Sequence, residues 1–170
     1  MPEMRGPLRA GLHDFGLAAK LGPAGWFVLV RAVFELARAR YRLGSRNAQD
    51  LLRQPFDLLS ANSGGSTSFA LLSPSQRQLI DRMGFAIPRL GVRVPWRADC
   101  LVQALAAQRW LASAGIGSML CLGVRRDVGA AFEAHAWLRV DEQVVVGGDI
   151  ADFTLLFSQP DHDAHDRQQP

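Results

Sequence analysis

The chain has 170 residues, 48% of them hydrophobic, which suffices for one substantial core and is too short for two large domains. Its formal charge of +3 comes almost entirely from arginines spread along the sequence, which disfavours a dedicated nucleic-acid-binding protein. Two cysteines, Cys100 and Cys121, are too few for a secreted disulfide scaffold, and residues 1–25 show no signal-peptide pattern. We therefore expect a cytoplasmic protein without stable membrane insertion.

The first 60 residues have helical patterning. A helix is predicted between Trp26 and Leu43, where Gly44 can end it, and its arginines argue against a membrane span. Apolar residues with the 3-4 spacing of a buried face are Phe27, Val30, Phe34 and Ala37. A short helix is predicted in "SRNAQDLLRQP", ending at Pro55, and the small-residue run from Ser60 to Ser68 predicts an exposed connection.

Two further helices are predicted in the middle of the chain. Ser73 followed by Pro74 is a helix start, and this helix is expected to run toward Pro88. The next helix is predicted from about Arg97 to Ser113, with Gly115 beyond its end. Both precede every segment that has strand patterning.

Strand patterning is confined to the C-terminal half. The predicted strands are Ser118–Val124, Ala131–Val140, Gln143–Gly148 and, as a possible fourth, Phe153–Phe157. Helices followed by an antiparallel meander indicate an α+β fold. The expected organisation is an N-terminal helical region (1–68), a core (69–158) and a disordered polar tail (159–170).

Cys100 lies at the expected first turn of the helix predicted from about Arg97 to Ser113. Peptide dipoles and free N–H groups at a helix start favour the thiolate, which is the nucleophilic form of cysteine. A nucleophilic cysteine needs a base, and His135 is the histidine within the folded part of the C-terminal half. Asp99 is expected to cap the helix.

A third group is expected to hold the His135 ring, and the residue that supplies it depends on the register of the strands. A three-residue loop between the second and third strands places Asp149 opposite His135, whereas a two-residue loop places Gly148 there. A bulge at Gly147 and Gly148 could also redirect Asp149. Taken one at a time, these residues have simpler explanations: Cys100 as a core residue, His135 as a structural histidine and Asp149 as a turn residue.

The order "CLVQALAAQRWLASAGI", "LCLGVRRD", "EAHAWLRVDEQVVVGG" resembles the transglutaminase-like cysteine protease of lasso peptide maturation, the B2-type leader peptidase. The resemblance covers about Pro95 to Phe157. It implies a papain/transglutaminase-like core, in which the cysteine-bearing helix packs on an antiparallel sheet of three to four strands. Cys100 would be the nucleophile and His135 the general base. Many relatives have Asn-Asp where this chain reads Val146-Gly147, which leaves Asp149 as the nearest carboxylate. Either the strand bulges and Asp149 serves, or a backbone carbonyl or water orients the imidazole instead.

By this resemblance, the protein removes the leader from a lasso peptide precursor. Its partners would be the precursor peptide, a lasso cyclase and, since no winged-helix domain is evident in the first 90 residues, a separate leader-recognition protein. The oxyanion hole is expected to include the Cys100 N–H and a donor from Trp96 or the chain near Arg97. No cofactor is expected.

Three alternatives stay open from the sequence alone. A transglutaminase or other acyltransferase would use the same trio but transfer the acyl group to an amine. A catalytically silent peptide-binding scaffold is favoured if Asp149 does not reach His135. A metal site at His162 and His165 in "DHDAHD" is disfavoured, since a polar terminal segment has no fixed geometry.

Overall fold

The computed structural model describes residues 22–44, 68–125 and 132–158. The elements in order are helix α1 (Gly22–Gly44), a short 3-10 helix (Phe69–Leu71), α2 (Pro74–Gly91), α3 (Cys100–Ser113), and strands β1 (Met119–Arg125), β2 (Glu133–Val140), β3 (Gln143–Val146) and β4 (Thr154–Ser158). This order confirms the α+β fold class. The helix predicted before Pro55, most of the connection from Ser60 to Ser68, and the tail with His162 and His165 lie outside the described residues.

Helix α1 forms where it was predicted, but the prediction of its buried face was wrong. The side chains that face the core are Ala32, Leu36 and Ala39, whereas Phe27, Val30 and Phe34 are 68%, 62% and 56% exposed. Both faces of α1 are apolar, so periodicity alone could not distinguish them. Small alanines allow α1 to approach α2 and α3 closely, and the aromatic face is left outward.

The starts of α2 and α3 follow from capping residues. The Ser73 hydroxyl accepts a hydrogen bond from the Gln76 N–H while the Gln76 side chain accepts one from the Ser73 N–H, a reciprocal pair that fixes the first turn of α2. Asp99 caps α3, because its carboxylate accepts from the Val102 N–H at 3.2 Å. Cys100 is therefore the first residue of α3, as the sequence predicted.

The described sheet has four antiparallel strands in the order β3-β2-β1-β4. The first three strands form the predicted meander, and β4 returns to the opposite edge, where it pairs with β1. A two-residue turn at Asp141 and Glu142 joins β2 to β3, so that Val140 pairs with Gln143. Asp141 takes a positive φ of 53° in this turn.

The main core lies between the helices and one face of the sheet. Leu120, Ala136 and Leu138 belong to the same buried cluster as Leu36 of α1 and Leu111 of α3. Helix α3 packs against α1, α2 and the sheet, and it is buried on most sides. Among the described residues, no helix combines the length and the apolar character needed to cross a bilayer.

Candidate active site

A cavity of about 500 Å³ opens where the start of α3, the end of α2 and the β3 edge of the sheet meet. Cys100 and His135 both line it, so the fold brings these two predicted residues to one site. The remaining lining residues are small or uncharged: Gly84, Pro88, Gln103, Val144, Val145, Val146, Gly147 and Gly148. The volume is in the range of small-molecule and peptide side-chain pockets.

Cys100 is positioned by the capping of α3. Its thiol is free, and its partly buried side chain packs against the core on one side and lines the cavity on the other. The Asp99 carboxylate occupies the Val102 N–H, and the Gln103 N–H donates to the Asp99 carbonyl. Among the described residues the Cys100 N–H has no acceptor, so this donor is available at the mouth of the helix.

His135 is held by a backbone carbonyl. Its Nε2 lies 2.7 Å from the Gly147 oxygen. A carbonyl oxygen can only accept, so Nε2 carries the hydrogen and donates it. In the neutral imidazole, Nδ1 is then the nitrogen with the free lone pair. The contact fixes both the ring and the tautomer, and it leaves Nδ1 as the basic atom.

The strand register explains how Gly147 reaches His135. Arg139 pairs with Val144 but Leu138 pairs with Val146, so Val145 is the extra residue of a bulge. The paired residues end at Val146, and Gly147 and Gly148 follow with φ values of 125° and 69°. The turn between β2 and β3 has two residues, which is the second of the two loop lengths considered from the sequence. The bulge lies at Val145 rather than at Gly147 and Gly148.

Asp149 lies in the turn beyond these glycines. Its Oδ1 accepts a hydrogen bond from the Ala151 N–H at 3.0 Å, and the residue is exposed. The structure thus places the Gly147 carbonyl, and not the Asp149 carboxylate, on the His135 ring. The assignment of Asp149 as third member of a triad stays a prediction. By the criterion stated from the sequence, these contacts count in favour of the silent scaffold, which a cleavage assay tests.

Aromatic rings complete the surroundings of His135. The Phe153 ring lies 4.9 Å from the imidazole, centroid to centroid, and the Trp137 ring lies 6.2 Å away. By strand alternation His135 shares a face with Trp137 and not with Ala136 or Leu138, which pack toward the helices. The cavity therefore reaches His135 around the β3 edge of the sheet, where Gly147 and Gly148 follow the last residue paired with β2.

A sequence profile described as the Transglutaminase-like superfamily matches residues 27–158, most of the chain. The chain belongs to the transglutaminase-like superfamily. Searches of curated proteins and of solved structures found no match. Membership indicates a core of the cysteine protease or acyltransferase type, in agreement with a cysteine at a helix start and a histidine on a neighbouring strand.

Two groups of this transglutaminase-like site were not assigned to particular residues from the sequence. Gln103, one turn after Cys100 on α3, lines the cavity. Its Nε2 donates to the Ala98 carbonyl at 2.7 Å, and Gly91 leaves the space for its side chain. Its i+3 spacing from Cys100 was the available signal. The sequence could not show that Gly147 supplies the carbonyl, because a backbone acceptor can belong to any type of residue.

Trp96 and Cys121 are two further residues of the transglutaminase-like core. Trp96 packs partly buried against the core and is not among the cavity-lining residues, so its part in an oxyanion hole stays a prediction. Cys121 is fully buried in β1, and burial raises the pKa of its thiol. In the described ranges no cluster of His, Cys, Asp and Glu has the composition of a metal site.

Proposed function

We propose that the protein is a cysteine endopeptidase that removes the leader from a lasso peptide precursor, together with a separate leader-recognition protein and a lasso cyclase. The observation that carries the proposal is the shared cavity of Cys100 and His135, with the imidazole tied through Nε2 so that Nδ1 is the basic atom. The precursor assignment depends on the sequence resemblance described above.

In the proposed reaction, Nδ1 of His135 takes the Cys100 proton and the sulfur attacks the scissile carbonyl carbon. The tetrahedral intermediate collapses when His135 returns the proton to the leaving amine, which leaves the leader as a thioester on Cys100. Water, deprotonated by His135, then hydrolyses the thioester. The freed amine of the core peptide would be the group that the cyclase joins to a side-chain carboxyl.

The developing oxyanion needs donors at the mouth of α3. The unpaired Cys100 N–H is one donor. We propose Gln103 as a second, because its amide lines the same cavity and one Nε2 hydrogen remains after the bond to Ala98. Preorganised donors of this kind contribute about 10²–10³-fold to the rate. Trp96 stays an alternative donor.

Asp149 enters the proposal in one of two ways, and two variants separate them. If its carboxylate stabilises the imidazolium directly, Asp149→Asn should reduce turnover by orders of magnitude. If it acts only by closing the turn that carries the Gly147 carbonyl, Asp149→Asn should be tolerated, because an amide oxygen can still accept from the Ala151 N–H. Asp149→Ala should then impair turnover, because that hydrogen bond is lost.

The direct test incubates the protein with a lasso precursor and its recognition protein and follows leader release by mass spectrometry. We expect cleavage by the wild type and none by Cys100→Ala. Cleavage that persists in Cys100→Ala would remove the nucleophile assignment. A leader recovered as an amide of an added amine, rather than as the free acid, would identify an acyltransferase on the same core.

A further inference from the structure

Helix α1 carries a second apolar face that is left exposed in the described part of the chain. Its side chains are Trp26 (49% exposed), Phe27 (68%), Val30 (62%), Phe34 (56%) and Tyr41 (75%). Phe27, Val30, Phe34 and Tyr41 follow the 3-4 spacing of one helix face. We call these five residues the α1 stripe. The opposite side of the same helix, Ala32, Leu36 and Ala39, is packed in the core.

The exposed area of the α1 stripe is comparable to the apolar centre of a protein–protein interface. From Trp26 to Tyr41 it runs about 22 Å along the helix at 1.5 Å per residue. Its four aromatic side chains, each about half to three-quarters exposed, present on the order of 500 Å². A standard interface buries about 800 Å² on each partner, so the stripe needs a surrounding rim.

Arginines supply that rim. Arg38, Arg40 and Arg42 have no ion-pair or hydrogen-bond partner in the described part of the chain. The acidic residue on α1, Glu35, is buried and already bonded to Arg31 at 2.9 Å, with Arg109 at 3.5 Å. The border of the stripe is therefore cationic.

The border arginines also act on Arg109 of α3. The pKa of Arg109 is lowered first by burial and then by the positive charges of Arg42 and Arg38. A partner that brings carboxylates beside apolar side chains would complement the arginine border and cover the stripe at once. Aromatic residues with arginine are also the composition typical of protein–protein contact centres.

We propose that the α1 stripe is a docking surface for a protein partner whose contact face is apolar and bordered by Asp and Glu. Resting on the proposed function, the partner is the separate leader-recognition protein, which would then be held through α1. Helix α1 packs on α3, where Arg31 bonds Ser113 and Glu35 lies near Arg109, both toward the end of α3 opposite Cys100, so a partner docked on α1 sits on the helix layer of the same core.

The test measures binding of the purified leader-recognition protein to the full chain by titration calorimetry. Phe27→Ser with Phe34→Ser should weaken binding at least tenfold, because buried aromatic anchors dominate interface energy. Leu156→Ser is the matched control, since Leu156 is 67% exposed on β4, and it should leave binding unchanged. Circular dichroism and the iodoacetamide alkylation rate of Cys100 check that both variants keep the fold and the site.

The arginine border has its own measurement. Arg38→Glu with Arg42→Glu should weaken binding at low salt and flatten its salt dependence. Equal affinity of the stripe variant and the wild type, or no binding by the wild type, would overturn the proposal. Binding of the wild type to anionic phospholipid vesicles in place of the protein, or a concentration-dependent dimer abolished by the stripe substitutions, would overturn it as well.

Failure of this inference can be distinguished from failure of the proposed function, because binding and cleavage are read separately. A wild type that cleaves the precursor while the stripe variant still binds the recognition protein normally refutes the docking surface alone. A wild type that binds through the stripe but never cleaves refutes the peptidase alone.

Discussion

Replacing Gly147 by alanine tests how the His135 ring is held. An added Cβ would lie 2.3 Å from the Trp137 Cβ and 2.9 Å from its Cα, and the backbone has a φ of 125°. The strained backbone costs about 1–3 kcal/mol, and forcing a methyl group into a packed site costs about 1–3 kcal/mol more. We therefore expect Gly147→Ala to lower the free energy of unfolding by about 2–6 kcal/mol.

The same substitution should impair catalysis beyond its effect on stability. Relief of the clash moves residue 147 away from Trp137, and with it the carbonyl that accepts from His135 Nε2. A general base that loses its orientation forfeits up to about 10²–10⁴-fold in rate. Urea denaturation gives the stability, and precursor cleavage measured where the variant is folded by circular dichroism gives the rate.

Gly148→Ala is the matched control. Gly148 has a φ of 69°, but nothing lies within 4 Å of an added Cβ, so only the left-handed backbone costs about 1–2 kcal/mol. Cleavage by Gly147→Ala at the wild-type rate, or equal losses of stability in both variants, would refute the reasoning. If Gly147→Ala does not fold, ¹⁵N chemical shifts of wild-type His135 decide, because a neutral ring protonated at Nδ1 would contradict the carbonyl contact.

Three further predictions follow from other contacts. Gln103→Met should slow acylation of Cys100 by p-nitrophenyl acetate about 10²-fold but leave its alkylation by iodoacetamide unchanged, because only acylation passes through an oxyanion; equal slowing of both would contradict the donor role. Asp99→Ala should lower the free energy of unfolding by about 1 kcal/mol through loss of the α3 cap, whereas exposed Asp81→Ala should change it by under about 0.5 kcal/mol, both read by urea denaturation. Because burial raises the folded-state pKa of Cys121 above 9.0, its thiol keeps its proton at pH values where the unfolded thiol has lost it. Stability should therefore fall as the pH rises through this range, and the fall should be smaller in Cys121→Ala; identical pH profiles in urea midpoints would refute this.

The sequence predicted those parts of the site that depend on local signals. Asp99 before Cys100 is a capping pattern, and it places the cysteine at the first turn of α3 as expected. Gly115, predicted just beyond the end of that helix, takes a positive φ there, which is a local feature in the same sense. These features are encoded within a few residues, so a single sequence suffices to find them.

Other features depend on how elements meet, and they were not predictable. The two apolar faces of α1 give the same periodicity, and the packing distance that small alanines allow, rather than aromatic content, decides which face is buried. The bulge at Val145 is a register shift between two strands. The orienting group on His135 is a carbonyl of Gly147, which any residue could offer if its backbone reached that place.

The most direct test of the account is to trap the covalent intermediate. The wild type is mixed with precursor and recognition protein, quenched in acid during turnover, and mapped by peptide mass spectrometry. We predict a leader thioester on Cys100, absent from Cys121, and strongly reduced in His135→Ala. Turnover with no adduct on Cys100, together with undiminished cleavage by Cys100→Ala or His135→Ala, would contradict the account.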